Sequence, residues 1–300
     1  MGWRFVLVFA LHLAAIVPNT LAWRVMMPPE HRGSVPFPAL MGMLLAGDAV
    51  NAVTPSAVVG GEIVRISMLR RRVPTPTAAG ASAVAAMAQH VAQMLFIVGG
   101  SAVALSSAPA GPFRTALVAA AVVAALAALI PLWLARSPRA WHAVERRLDR
   151  TGWWNRLKRG REAGWTALVD ATLGALERRP GDFALSVVLY GAGWLVGAAE
   201  VWLVLRLLSA PVDLRQAFVI EALSLAIEAL FFFVPAKMGT QEGGKYVVFR
   251  ALGLDPAHGI ALGLVRRMRE LAWAAVGLAL LGWMPRQPRT EILASGSEEA

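Results

Sequence analysis

The sequence predicts an all-α, polytopic helical membrane protein with an inverted repeat and two re-entrant broken-helix hairpins. Three observations carry that prediction. Of the 300 residues 57% are hydrophobic and 16% charged, with a mean hydropathy of +0.56, whereas soluble domains carry about 25% charged residues. Several apolar runs reach the roughly 20 residues that a helix needs to cross a hydrocarbon core. A shift of 180 positions also brings scarce residues of one half onto like residues of the other without a gap.

The first span covers about 3–27 and ends at Trp23-Arg24. It lacks a small-residue cleavage site followed by a soluble domain, so it reads as a retained helix and not a signal peptide. A loop rich in Pro and charge (Pro28, Pro29, Glu30, His31, Arg32) separates it from an apolar run over 36–54 that stops at Pro55. After Gly60-Gly61 comes a short helix, 61–72, ending in Arg70, Arg71 and Arg72. Pro74 and Pro76 open a long span over 77–105, which Pro109 to Pro112 closes, and a further span covers 113–135. Residues 136–180 hold eleven basic and five acidic residues. Trp141, Val144 and Leu148 recur there at helical spacing, with Trp153, Trp154 and Trp165 beyond. Basic residues interleaved with tryptophan suit helices lying on a membrane surface; a plain solvated loop is the alternative. Spans over 181–209 and 256–283 flank an apolar run, 214–234, stopped at Pro235, and a short helix, 241–252. The expected organisation is one transmembrane domain over 1–283 with a disordered polar tail over 284–300.

The offset of 180 places Pro55 on Pro235, Glu62 on Glu242, Arg65 on Lys245, Arg70 on Arg250, Pro76 on Pro256 and Asp48 on Glu228. Glycines surround both glutamates: Gly60 and Gly61 in the first copy, Gly239, Gly243 and Gly244 in the second. Each short helix, roughly 18 Å long, is too short to span, so each Pro/Gly-joined pair of runs is a hairpin that enters and leaves on one side. Pro55, Gly60, Gly61, Pro235, Gly239 and Gly243 are its hinge residues. Three full spans separate the hairpins, and an odd number of crossings inverts the second copy, as in many transporters. The chain then has five full spans and two re-entrant hairpins.

Charge orients this arrangement. Arg24, Arg32, Arg70 to Arg72, the 136–180 segment, Arg286 and Arg289 fall on one side; Arg114, Arg206, Arg215 and Arg250 fall on the other. The positive-inside rule makes the first side cytoplasmic. The expectation is a multi-pass protein of the inner (plasma) membrane, with the N-terminus outside and the 136–180 segment and C-terminus in the cytoplasm. A net charge of +10 placed between apolar runs fits anionic lipid and not nucleic acid.

Cysteine is absent, which excludes disulfides and thiolate chemistry. The five histidines are scattered without metal-ligand spacing, and the signatures of nucleotide-binding, hydrolase and metalloprotease sites are missing. No catalytic set, metal or cofactor is expected. The candidate substrate-binding residues are Glu62, Arg65, Glu242, Lys245, Arg266, Arg269 and Glu270. A charge at a helix centre costs about 2.5–3.5 kcal/mol on insertion scales, so each needs a partner. Arg65 and Lys245 each follow a glutamate by three positions, which puts each pair on one helix face. The short-helix N-termini present free N–H groups suited to phosphate. Arg266, Arg269 and Glu270 share a face, with Arg267 rotated off it, and guanidinium forks match phosphate. The alternative is an ion-pair network that locks the hairpins, with Glu242 or Glu228 as partners of the arginines. Gln89, His90 and Gln93 occupy the matching region of the first copy, His90 as a packing residue or a titrating one. Glu200 and Glu221 are further candidate intramembrane acids, and Gly193 with Gly197 makes a small-residue packing pair.

The stretch Asn51-Ala-Val-Thr-Pro55, Gly60-Gly61-Glu62 and Arg65 resembles the first signature of the lysylphosphatidylglycerol-synthase transmembrane region, a flippase-like membrane protein family. Phe232-Phe-Val-Pro235, Gly239-Thr-Gln-Glu242-Gly-Gly, Leu252-Gly253-Leu254, Arg266-Arg267 and Arg269-Glu270 resemble its second, in the form found in hopanoid-biosynthesis-associated membrane proteins. The resemblance covers about 5–283. It implies translocation of lipid between leaflets. Aminoacyl transfer, which belongs to a soluble domain fused to this region in the family's best-known member, is not expected, and the first helix is expected to match what is usually the family's second. The expected function is transbilayer movement of a lipid with an anionic or phosphate-containing headgroup, with membrane lipids and lipid-synthesis enzymes as partners. The alternatives are a membrane-embedded enzyme using Glu62 or Glu242 as acid/base on a lipid-linked substrate, and a scaffold for lipid-modifying enzymes.

Overall fold

The computed structural model describes residues 5–54, 59–137, 147, 150, 174, 176–210, 212–231, 234 and 239–283. All described secondary structure is helical: α1 (Phe5–Met26), a 3-10 turn (Pro29–His31), α2 (Phe37–Val53), α3 (Val59–Leu69), α4 (Thr75–Leu105), α5 (Pro112–Arg136), α6 (Pro180–Leu207), α7 (Leu214–Leu230), α8 (Thr240–Ala251) and α9 (Pro256–Trp283). Pro55, Pro235, most of the basic 136–180 segment expected to lie on the membrane surface, and the tail 284–300 lie outside the described residues.

Local chemistry sets the helix ends. Pro sits in the first turn of α2, α4 and α6, where its missing N–H would have had no partner. Asp213 caps α7 reciprocally: its Oδ1 accepts from the Gln216 N–H at 2.6 Å, and Gln216 Oε1 accepts from the Asp213 N–H at 3.0 Å, which satisfies two otherwise orphaned donors. Gly239, at φ 76°, forms the N-cap of α8, a left-handed geometry that glycine adopts without steric cost.

The chain is a polytopic helical membrane protein. Among the described residues, four helices are long and apolar enough to cross a membrane: α1, α4, α5 up to Trp133, and α6. The fifth expected span, α9, has 28 residues, roughly 42 Å of helix, but holds Arg266, Arg267, Arg269 and Glu270 at its middle. Outward faces are apolar: Val122, Leu129 and Trp133 on α5 and Val188 on α6 are more than half exposed, as lipid-facing residues are. The short α3 and α8, 11 and 12 residues, reach roughly 16–18 Å and double back on α2 and α7.

The repeat extends further than the hairpins. Adding 180 to α1 gives 185–206, inside α6, and α2, α3 and α4 likewise land on α7, α8 and α9 to within a few residues. Only α5 and the segment after it fall outside the two copies. The copies run in opposite directions. Ser186 Oγ on α6 donates to the Ala22 carbonyl on α1 at 3.1 Å, and Gly193 faces Asn19. Numbers rise on one helix as they fall on the other, so equivalent helices α1 and α6 are antiparallel and the repeat is inverted. The copies then exchange partners, α2 packing on α9 and α7 on α4.

Both exchanged contacts use glycine for close approach. A Cβ on Gly277 of α9 would lie 2.6 Å from the Ala49 Cβ of α2 and collide with the Leu45 carbonyl oxygen. Gly100 of α4 accommodates Ala222 of α7 in the same way. Apolar cores sit at the two ends, one holding Trp23, Leu40 and Leu69, the other Leu205, Ile220 and Phe249. Basic residues sort with them. Arg32 binds Asp182, and Arg179 Nη1 donates to the Met27 carbonyl at 2.9 Å, at the first end; Arg215 bonds Ser106 at the second.

Overpacking a helix crossing costs about 1–3 kcal/mol. Gly277→Ala is therefore expected to lower the thermal midpoint of the detergent-solubilised protein, followed by size-exclusion recovery after heating. Gly243→Ala, where a Cβ meets nothing within 4 Å, should leave the midpoint unchanged or raised.

Candidate functional site

In the first hairpin, α2 and α3 meet at two glycines. A Cβ on Gly47 would stand 2.7 Å from Arg65 Cγ and 2.9 Å from the Gly61 carbonyl oxygen. The Gly61 N–H, one of the open donors of the first turn of α3, donates to Asn51 Oδ1 at 2.7 Å. This tight crossing buries the Arg65 stem and carries its guanidinium between two acids. Nη2 donates to Asp48 Oδ1 and Nη1 to Glu62 Oε1, each at 2.5 Å. Arg65 is 9% exposed, so its charge is compensated almost entirely by these carboxylates.

The second hairpin repeats one of those bonds. Glu228 and Lys245 stand 180 positions after Asp48 and Arg65, and Lys245 Nζ lies 3.5 Å from Glu228 Oε1. The Gln241 carbonyl also accepts from it at 3.5 Å. Glu242, the copy of Glu62, departs from the expected pattern. Its partner is Arg267 of α9, Nε to Oε1 at 3.3 Å, not the lysine three residues on. Lys245 is buried toward α7, while Glu242 packs over Gly263 of α9. The arginine rotated off the Arg266–Arg269 face is thus the one that reaches the second hairpin's glutamate.

The densest charge lies among α6, α7 and α9. Arg266 Nη1 forms an ion pair with Glu221 Oε2 at 2.7 Å, its Nε lies 3.3 Å from Glu200 Oε1, and Nη2 donates to the Gly197 carbonyl at 3.1 Å. Arg269, one turn later, bonds both carboxylate oxygens of Glu200. Glu200 is 2% exposed and Glu221 3%. Glu270 accepts from Gln241 Nε2 at 2.6 Å, which ties α9 to the start of α8. From α1, His12 stacks 5.7 Å from the Trp273 ring, close enough for Arg269 and Glu200 to act on it.

The structure therefore brings Glu242, Lys245, Arg266, Arg269 and Glu270 into one connected region around α8 and α9. Glu62 and Arg65 form a separate cluster with Asp48. Each of the five cations Arg65, Lys245, Arg266, Arg267 and Arg269 has a carboxylate within 4 Å. Gln89, His90 and Gln93 lie half-buried on α4, at the positions matching Arg269, Glu270 and Trp273. The network is thus built in one copy only. Gly239 caps α8 and Gly61 makes the α2–α3 crossing, while Gly243 faces open space. His12 carried no sequence signal as a site residue, and Gln241 entered only within the Gly239-Thr-Gln-Glu242 stretch; the place of both follows from the packing of α1 and α8 on α9.

The profile of the family described as Lysylphosphatidylglycerol synthase TM region matches residues 1–284, and the chain belongs to that family. No curated protein and no solved structure matches the chain.

Removing one partner of a buried ion pair costs about 3–5 kcal/mol, because the other charge is left uncompensated. Glu200→Ala is expected to fall in that range in reversible unfolding from detergent micelles. Replacing Glu200 and Arg269 together by Leu and Met should cost less than Glu200→Ala alone, which leaves the arginine stranded.

Proposed function

We propose that this member of the lysylphosphatidylglycerol synthase transmembrane-region family, a membrane protein linked to lipid handling, moves a lipid with an anionic or phosphate-containing headgroup between the leaflets. One observation carries the reading. The same carboxylate–cation pair, Asp48–Arg65 and Glu228–Lys245, is built into two broken hairpins of opposite orientation. Charges held at membrane depth mark ion and substrate pathways, and broken helices in inverted halves are the usual setting of a transporter's midplane site.

The route follows from the pairing. A phosphate offers the oxygen acceptors that Asp48, Glu62, Glu200 and Glu242 supply in the empty state, and guanidinium forks take either. As the headgroup replaces a carboxylate, the cations stay compensated. The first turns of α3 and α8 add backbone donors and a favourable dipole end. The acyl chains remain in the bilayer along the apolar outer faces. Rocking of the inverted halves then presents the occupied site to the opposite leaflet.

Reconstituted vesicles carrying a fluorescent phosphatidylglycerol, with quenching of the outer leaflet, measure this directly. Arg269→Ala and Glu242→Ala are expected to slow transbilayer movement by at least about tenfold, equivalent to losing roughly 1.4 kcal/mol of headgroup interaction. Wild-type rates in both variants would contradict the assigned site.

A further inference from the structure

The hairpins are copies, but their buried cations differ in kind. Arg65 is clasped by two carboxylates at 2.5 Å. Lys245, in the equivalent place, is 3.5 Å from its carboxylate and 1% exposed. A guanidinium does not release its proton inside a protein; a buried ammonium does. Lys245 is also among the most deeply buried large side chains of the molecule.

The charges that face Lys245 come from the helices packed on α8. Glu228 and Glu221 act from α7, and Arg266 and Glu270 from α9. Its own helix contributes the Gln241 carbonyl. Arg266 is itself held by Glu221 and Glu200, so those acids are committed to a permanent cation. Glu228 is the carboxylate within ion-pair distance of the ammonium.

We infer that Lys245 and Glu228 form a proton-transfer site, and that the second hairpin is the moving one, released by that transfer. The inference rests on the reading of the chain as a lipid transporter. In the step, an Nζ–H bond of Lys245 breaks, nitrogen keeps the electron pair, and the proton joins a Glu228 carboxylate oxygen. An ammonium and a carboxylate become an amine and a carboxylic acid, with no change in net charge and no redox partner. The neutral pair no longer clamps α8 on α7 and crosses apolar surroundings at lower cost than separated ions. The acid then gives its proton to water on one side, and the amine takes one up from the other. Arg65 cannot take this path, so the clasp of α3 on α2 does not respond to the proton.

Vesicles of phosphatidylcholine and phosphatidylglycerol with an entrapped pH-sensitive dye and a trace of fluorescent phosphatidylglycerol read both fluxes at once. With an imposed gradient of one pH unit, the wild-type protein is expected to carry protons into the vesicle. Lipid distribution should become biased by up to about tenfold per proton coupled. Lys245→Arg and Glu228→Gln, checked for an unchanged elution profile, should abolish the proton flux and the response of lipid movement to the gradient. Unchanged proton flux in either variant overturns the site. Wild-type lipid movement with no proton flux also overturns it and leaves the proposed function standing. Proton flux that depends on Lys245 without lipid movement supports the site and overturns the transport reading instead.

Discussion

The structure depends on keeping charge compensated where water is scarce. Glu200, on α6, holds Arg266 and Arg269 of α9, and Arg266 reaches on to Glu221 of α7. These ion pairs tie the three helices together through buried charge. Removing Glu200 would strand Arg269, and removing Arg266 would strand Glu221. Ion pairing of this kind fixes position more than it adds stability.

Around that network the inverted copies are locked by shape. Antiparallel α1 and α6 pack on each other, and α2 on α9 and α7 on α4 complete the exchange. Glycines at 47, 61, 100 and 277 bring backbones so close that a methyl group would collide. The hairpins stay short because the close crossing, not length, holds them. The copies are alike in backbone and unlike in charge. In one, a single arginine sits between two acids; in the other, four cations and five acids form a mesh through α6, α7, α8 and α9. The backbone thus has inverted symmetry while the charge does not.

Much of the fold was legible from residues of high cost. Broken apolar runs at Pro55 and Pro235, glycines beside Glu62 and Glu242, and the offset of 180 located the hairpins and their inversion to within a few residues. The equivalence of α1 and α6 was not legible, since ordinary apolar spans leave no scarce residue to align. Spacing also misassigned a partner. Glu242 and Lys245 share a face by number, yet the burial of Lys245 against α7 and the approach of α9 at Gly263 send Glu242 to Arg267. Pairing across helices depends on interhelical distance, which a one-dimensional period does not contain. For the same reason His12 passed as one apolar-helix residue among many, although it stacks on Trp273 beside the network.

The inverted arrangement is the claim on which every later step rests, and the absence of native cysteine makes it directly measurable. Single cysteines at Arg72, beyond α3, and at Arg250, near the end of α8, are both exposed positions. A membrane-impermeant maleimide applied to sealed vesicles of known orientation should label these two sites from opposite faces. Labelling of both from the same face would show that the hairpins open on one side and would contradict the account.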